Sequence, residues 1–150
     1  MALAQFKPSS FDIRDSLGYL LANVRQEWIV AVEKELKPLD LTAAQYIVLV
    51  KVGSGHAVTP VDICRTLQYD TGAMTRLLDR IEAKGLIRRV AHGADRRCVG
   101  LELTPAGHEL YPQLLRIMMD MNKRSIRGFT KDEVASFERM LKRVALNIAS

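Results

Sequence analysis

The sequence predicts a mainly α-helical chain with one small β-hairpin, arranged as a winged helix-turn-helix. Three observations predict it. Residues 71–84 carry Met74, Leu77, Leu78 and Ile81 at helical spacing, stop at Gly85, and run into a hairpin tipped by Asp95-Arg96-Arg97. A short helix opening at Thr59-Pro60-Val61-Asp62 precedes them, across the tight link Gln68-Tyr69-Asp70. The last helix bears an apolar stripe, Val134, Phe137, Leu141, Val144 and Ile148, at spacings of three and four, and so regular a stripe needs a partner.

The elements follow in order. Residues 11–36 form one long amphipathic helix, with Ile13, Leu17, Leu20, Leu21, Val24, Trp28, Val32 and Leu36 at the 3.6-residue period, and Pro38 stops it. Thr42 caps a second helix that buries Tyr46, Val48, Leu49 and Val50, and Gly53 and Gly55 open a loop. In the third helix Ile63, Cys64 and Leu67 face inward. Asp70 or Thr71 caps the fourth, whose outward face carries Gly72, Thr75, Arg76 and Asp79, flanked by Ala73 and Arg80. Val99, Leu101 and Leu103 alternate with Cys98, Gly100 and Glu102, the pattern of a half-buried strand. Thr104-Pro105 starts a helix over 105–127 that Gly128 ends, and Thr130-Lys131-Asp132-Glu133 is a capping box for the last one.

With 150 residues, 48% of them hydrophobic, the chain can build one domain with a real core. The formal charge of +5 suits an anionic partner, and its location says more than its total. Between Arg76 and Arg97 stand seven basic residues and three acidic ones, a local excess of +4. A small-residue, arginine-bearing helix face beside a basic hairpin tip suits the two grooves of a DNA duplex. Either element alone would read as a solvated surface; their adjacency favours DNA.

Two cysteines, Cys64 and Cys98, make no disulfide framework. Cys64 reads as a small buried hydrophobe and Cys98 as a residue of the wing base. His56, His92 and His108 are scattered and lack neighbours at ligand spacing, so no metal site is expected. No paired carboxylates, nucleophile triad or phosphate-cradling loop is evident, and Gly53-Ser54-Gly55 is not a P-loop. Neither catalysis nor a cofactor is expected. The start MALAQFKPSS lacks the pattern of a signal peptide, and no apolar run approaches a membrane span, so the expected location is the cytoplasm.

In this order of parts the chain resembles the MarR family of bacterial transcription regulators over most of its length. Leu41-Thr42-Ala43-Ala44-Gln45 fits the family's leucine-threonine-x-x-glutamine, and Val58-Thr59 fits its valine-threonine helix start. Ile81-Glu82-Ala83-Lys84-Gly85-Leu86-Ile87-Arg88-Arg89 resembles the end of its recognition helix. Asp95-Arg96-Arg97 and Leu103-Thr104-Pro105-Ala106-Gly107 resemble its wing tip and wing closure. The wing and the residues after it most resemble the branch that includes EmrR.

The resemblance implies one domain over 1–150. Within it, 41–104 forms the DNA-binding lobe, and 11–40 with 105–150 forms a helical dimerisation lobe. It implies a homodimer on a palindromic double-stranded site, repressing a nearby or divergent operon until a small aromatic or phenolic ligand relieves it. Effector contacts would fall among Tyr19, Asn23, Trp28, Tyr46 and Met118, with Met119 beside them, although Trp28 and Tyr46 also fit the core. The dimer would use Val134, Phe137, Leu141, Val144 and Ile148.

For DNA the residues themselves nominate Arg76 for the major groove, with short Thr71, Ala73 and Thr75 letting the helix approach. Arg97 is nominated for the minor groove, pre-oriented by Asp95, with Arg96 sharing that role or meeting phosphate. Arg80, Arg88 and Arg89 are expected on phosphate or in water. Two other readings compete: a nonspecific architectural DNA-binding protein, and a winged-helix module that binds protein.

Overall fold

Short polar side chains decide where each helix begins. The structure, a computed structural model, describes residues 12–55, 59–67, 69–91 and 99–149, without the side chain of Thr66. The first helix starts later than its periodicity suggests. Ser16 is extended and its hydroxyl accepts from the Tyr19 N–H at 3.2 Å, so α1 runs Leu17–Leu36. Before it lies a 3-10 turn, Ile13–Asp15, closed by the Asp12 carboxylate accepting from the Arg14 N–H at 2.9 Å. Asp12 and Ser16 thus offer the backbone an alternative to a continuous helix.

A 3-10 turn over Lys37–Leu39, built around Pro38, ends on Asp40 in the left-handed region (φ 52°). Helix α2, Ala43–Gly53, opens with a full capping box. The Gln45 N–H donates to Thr42 Oγ1 at 3.3 Å, and the Thr42 N–H donates to Gln45 Oε1 at 3.1 Å. Helix α3, Pro60–Leu67, uses the same reciprocal device between Thr59 and Asp62. Helix α4, Thr71–Ala83, is capped by Asp70, whose carboxylate accepts from the Ala73 N–H at 2.8 Å. Gly85, at φ 70°, ends it.

Strands β1, Ile87–Ala91, and β2, Val99–Leu103, pair antiparallel with Ile87 opposite Leu103 and Arg89 opposite Leu101. Leu101 and Leu103 are buried as the alternation predicts, whereas Val99 is 40% exposed, because it lies farthest along the hairpin from the core. Helix α5, Pro105–Ser125, follows directly, and α6, Lys131–Ala149, opens on the Thr130–Glu133 box.

The chain packs as two compact units, one reaching to Ile117 and one starting at Met118, with the boundary inside α5. In the first, α2 is central and packs on α1, α3, α4 and β2. Leu36, Leu49, Ile63, Met74, Leu78, Ile81 and Ile87 are fully buried there. Each such side chain contributes about 1.5–3 kcal/mol of burial free energy. Cys64 is half-buried rather than sealed, one helical step around from fully buried Ile63.

In the second unit α6 has no buried side chain. Val134 and Val144 are half-buried, while Phe137, Leu141 and Ile148 are exposed, with Met140 and Leu146 exposed beside them. Phe129 packs edge-on against Phe137, centroids 6.2 Å apart. The first half of α1 and the turn before it are equally uncovered: Ile13, Leu17, Leu20 and Val24 are each at least 50% exposed. Among the described residues no helix is long and apolar enough to cross a membrane.

Candidate nucleic-acid interface

Helix α4 divides cleanly. Its inner face, Met74, Leu77, Leu78 and Ile81, is buried, while Thr71, Thr75, Arg76, Asp79 and Arg80 are exposed and Ala73 is half-buried. The Thr75 hydroxyl donates to the Thr71 carbonyl at 2.9 Å, which uses its proton and leaves the exposed residue's hydroxyl oxygen able to accept. Near the N-terminus the Asp70 carboxyl is held below the ordinary carboxylate range, chiefly by the Ala73 N–H and in part by the charge of Arg76. Among the described residues Arg76 and Arg80 form no salt bridge. Their guanidinium groups stay available on the outward side.

Three other basic residues of this lobe, Lys84, Arg88 and Arg89, are engaged. Arg88 and Arg89, expected on phosphate or in water, are both ion-paired. Arg88 faces its cross-strand neighbour Glu102, Nη2 to Oε2 2.9 Å, on the exposed side of the hairpin. Strand alternation puts Arg89 on the opposite side, with Ile87, facing the core. There its Nη2 donates to Asp79 Oδ1 at 2.6 Å, its Nη1 donates to Glu82, and its backbone N–H donates to Glu82 Oε1 at 3.2 Å. Asp79 above all holds the guanidinium charged beyond the ordinary arginine range, with burial pulling the other way. Lys84, the residue after α4, donates to the carboxylate and carbonyl of Asp40 in the turn between α1 and α2. Sequence reasoning missed both attachments. The period-two placement of Arg89 beside Ile87, opposite carboxylates spaced i and i+3 on the preceding helix, was the available signal.

Asp95, Arg96, Arg97 and Cys98 of the hairpin tip lie outside the described residues, as do Val58, His56 and His92. The wing closure is described. Thr104 Oγ1 donates to the Gly85 carbonyl at 2.5 Å and accepts from the Gly107 N–H at 3.1 Å, so that run ties the end of α4 to the start of α5.

Beside α4 lies a cleft of about 440 Å³ whose wall includes Arg25, Trp28, Glu33, Gln45, Tyr69 and Arg80. Trp28 was expected near an effector and does line it. Tyr46 does not: it is 3% exposed on the inner side of α2, where burial raises its hydroxyl pKa. Tyr19 and Asn23 lie one to three turns upstream on the exposed part of α1 and do not line the cleft either. Met118 is half-buried in the second unit.

Comparison with known proteins agrees with this arrangement. A sequence profile of the MarR family matches residues 39–97. The multiple antibiotic resistance protein MarR of Escherichia coli K12 is 36% identical over 129 residues, covering 85% of this chain and 90% of that protein. Its counterpart from Salmonella typhimurium is 37% identical with the same coverage. A crystal structure of a mutant MarR from E. coli complexed with operator DNA superposes with a TM-score of 0.77 at 35% identity, covering 89% of this chain and 99% of that one. On this identity and coverage, the chain belongs to the MarR family of transcription regulators.

Proposed function

We propose that α4 is the helix by which this DNA-binding transcription regulator reads its operator, and that it acts as a repressor relieved by a small aromatic ligand. The observation that carries the DNA reading is the division of α4. One side is sealed into the core, and the other offers short Thr71, Ala73 and Thr75 around Arg76 and Arg80. Short side chains let a helix enter the major groove, and an arginine there can grip guanine in a bidentate way or clamp phosphate. The E. coli relative has been captured on operator DNA with a similar chain fold, which supports the same partner here. Asp95, Arg96 and Arg97 remain the proposed minor-groove element.

A homodimer is proposed on the two uncovered apolar stripes. Ile13, Leu17, Leu20 and Val24 on one terminal segment, and Phe137, Leu141 and Ile148 with Val134 and Val144 on the other, are more apolar surface than a soluble monomer ordinarily leaves open. Two copies would place two α4 helices on a palindromic site. The dimerisation lobe then comprises residues 11–40 and 105–150, and the DNA-binding lobe residues 41–104. No catalytic step, cofactor or metal enters this reading, and the site of action is the cytoplasm.

The cleft beside α4 suits an aromatic acid. Trp28 and Tyr69 supply rings, Arg25 and Arg80 supply positive charge, and Arg80 also belongs to the outward side of α4. A ligand there relieves repression only if it binds the free conformation more tightly than the DNA-bound one. The test is a band-shift titration with the duplex upstream of the chain's own gene, against scrambled competitor, with and without benzoate-type acids. Specific retention lost on adding the acid supports the reading. Retention equal on both duplexes favours an architectural protein, and no retention favours a protein-binding module. The chain has a single tryptophan, so Trp28 fluorescence reports ligand entry independently of DNA.

A further inference from the structure

We infer that Arg89 is a positioning residue for DNA reading: it fixes the rotation of α4 against β1 and touches no DNA itself. The inference rests on α4 being the recognition helix. Arg89 is basic, belongs to the DNA-binding lobe, and sits in a stretch with a local charge excess of +4, yet it faces inward. Its side chain is 32% exposed, and both guanidinium Nη atoms are engaged, one by Asp79 and one by Glu82. The Glu82 carboxylate also accepts the Arg89 backbone N–H, so the strand and the helix are joined at three atoms.

The physics of α4 explains the need. Met74, Leu78 and Ile81 fix how deep the helix sits, but apolar contact is non-directional and resists rotation weakly. Base reading needs rotation fixed, because bidentate contacts are angular. A planar guanidinium spanning two carboxylates one turn apart supplies that constraint, and lysine, a flexible point charge, does not. Such partly exposed pairs contribute little to overall stability. The effect therefore falls on discrimination between DNA sequences rather than on folding.

The test compares two ways of breaking the same attachment. Arg89→Met removes one positive charge, and Asp79→Asn with Glu82→Gln removes two negative ones. Affinity is measured over a salt series for a duplex selected by the wild-type protein from a random pool and for a scrambled duplex, with thermal melts confirming folding. If Arg89 positions α4, both variants lose discrimination by about fivefold or more, the lower range of one bidentate base contact. Arg89→Met also keeps the wild-type salt slope, since no phosphate contact is lost. Arg89→Lys recovers little.

Three results would overturn the role. Opposite shifts in the two variants would show simple electrostatics. An equal loss on both duplexes with a slope smaller by about 0.9 would make Arg89 a phosphate contact. Variants discriminating as well as wild type would show no positioning at all. A wild-type protein that selects no site is a different failure: it refutes specific reading by α4, and this role with it.

Discussion

Gly107 in α5 packs directly against the backbone carbonyl of Leu86, so closely that a β-carbon at position 107 would overlap that oxygen. The Leu103–Gly107 run, which in sequence looks like a mark of kinship, is therefore a structural joint. Thr104 N–H donates to the same Leu86 carbonyl at 3.1 Å, so the joint holds the hairpin to the helix on both sides. Gly107→Ala is expected to cost about 1–3 kcal/mol, the range for overpacking a tight site. Urea titration followed by circular dichroism checks it, and an unchanged midpoint would mean that the joint yields easily.

Much of this architecture is legible in the sequence because local signals agree with one another. Apolar spacing gave α4 its buried face, and caps at Thr42, Asp70 and Thr130 mark helix starts where the structure has them. The signals fail where two local preferences compete or where a contact spans the fold. Periodicity runs through Ser16, but capping breaks the helix there. Arg89 and Lys84 look like free charge because their partners, Asp79 with Glu82 and Asp40, are distant in sequence or on another element. Trp28 and Tyr46 look alike as apolar-stripe aromatics, and only packing separates the cleft wall from the core.

The Tyr46 hydroxyl is buried and has no hydrogen-bond partner among the described residues. Burying an unpaired hydroxyl costs about 1–3 kcal/mol. Tyr46→Phe should therefore leave stability unchanged or raise it by about 1 kcal/mol, as read by urea titration. It should also leave ligand-induced changes in Trp28 fluorescence intact. Loss of stability would mean that the hydroxyl is satisfied in solution.

Asp70 makes the start of α4 sensitive to acid. Its carboxyl is held below its ordinary range by accepting the Ala73 N–H, so its stabilising effect is present above about pH 4 and disappears as pH falls through the lowered value. Asp70→Ala should be less stable than wild type at neutral pH, and the gap should narrow below about pH 4. Chemical denaturation at a series of pH values tests this. A gap that persists or widens in acid would exclude the carboxylate as its source.

Leu141→Asp places a charge within the exposed stripe of α6. It should convert a wild-type dimer at micromolar concentration to monomers or aggregates, as sedimentation velocity would resolve. A wild-type protein that sediments as a well-folded monomer would remove the basis for two-lobed binding to a palindrome.

The most direct measurement is the affinity of Arg76→Ala for a selected operator and for a scrambled duplex, by fluorescence anisotropy at fixed salt. Arg76 is exposed one turn into α4 and makes no salt bridge among the described residues. If the outward side of α4 reads bases, the variant folds normally, loses about 1–3 kcal/mol on the operator, and changes little on the scrambled duplex. Unchanged operator affinity, in a protein that still binds it specifically, would contradict Arg76 as the reading residue and move recognition away from this side of α4.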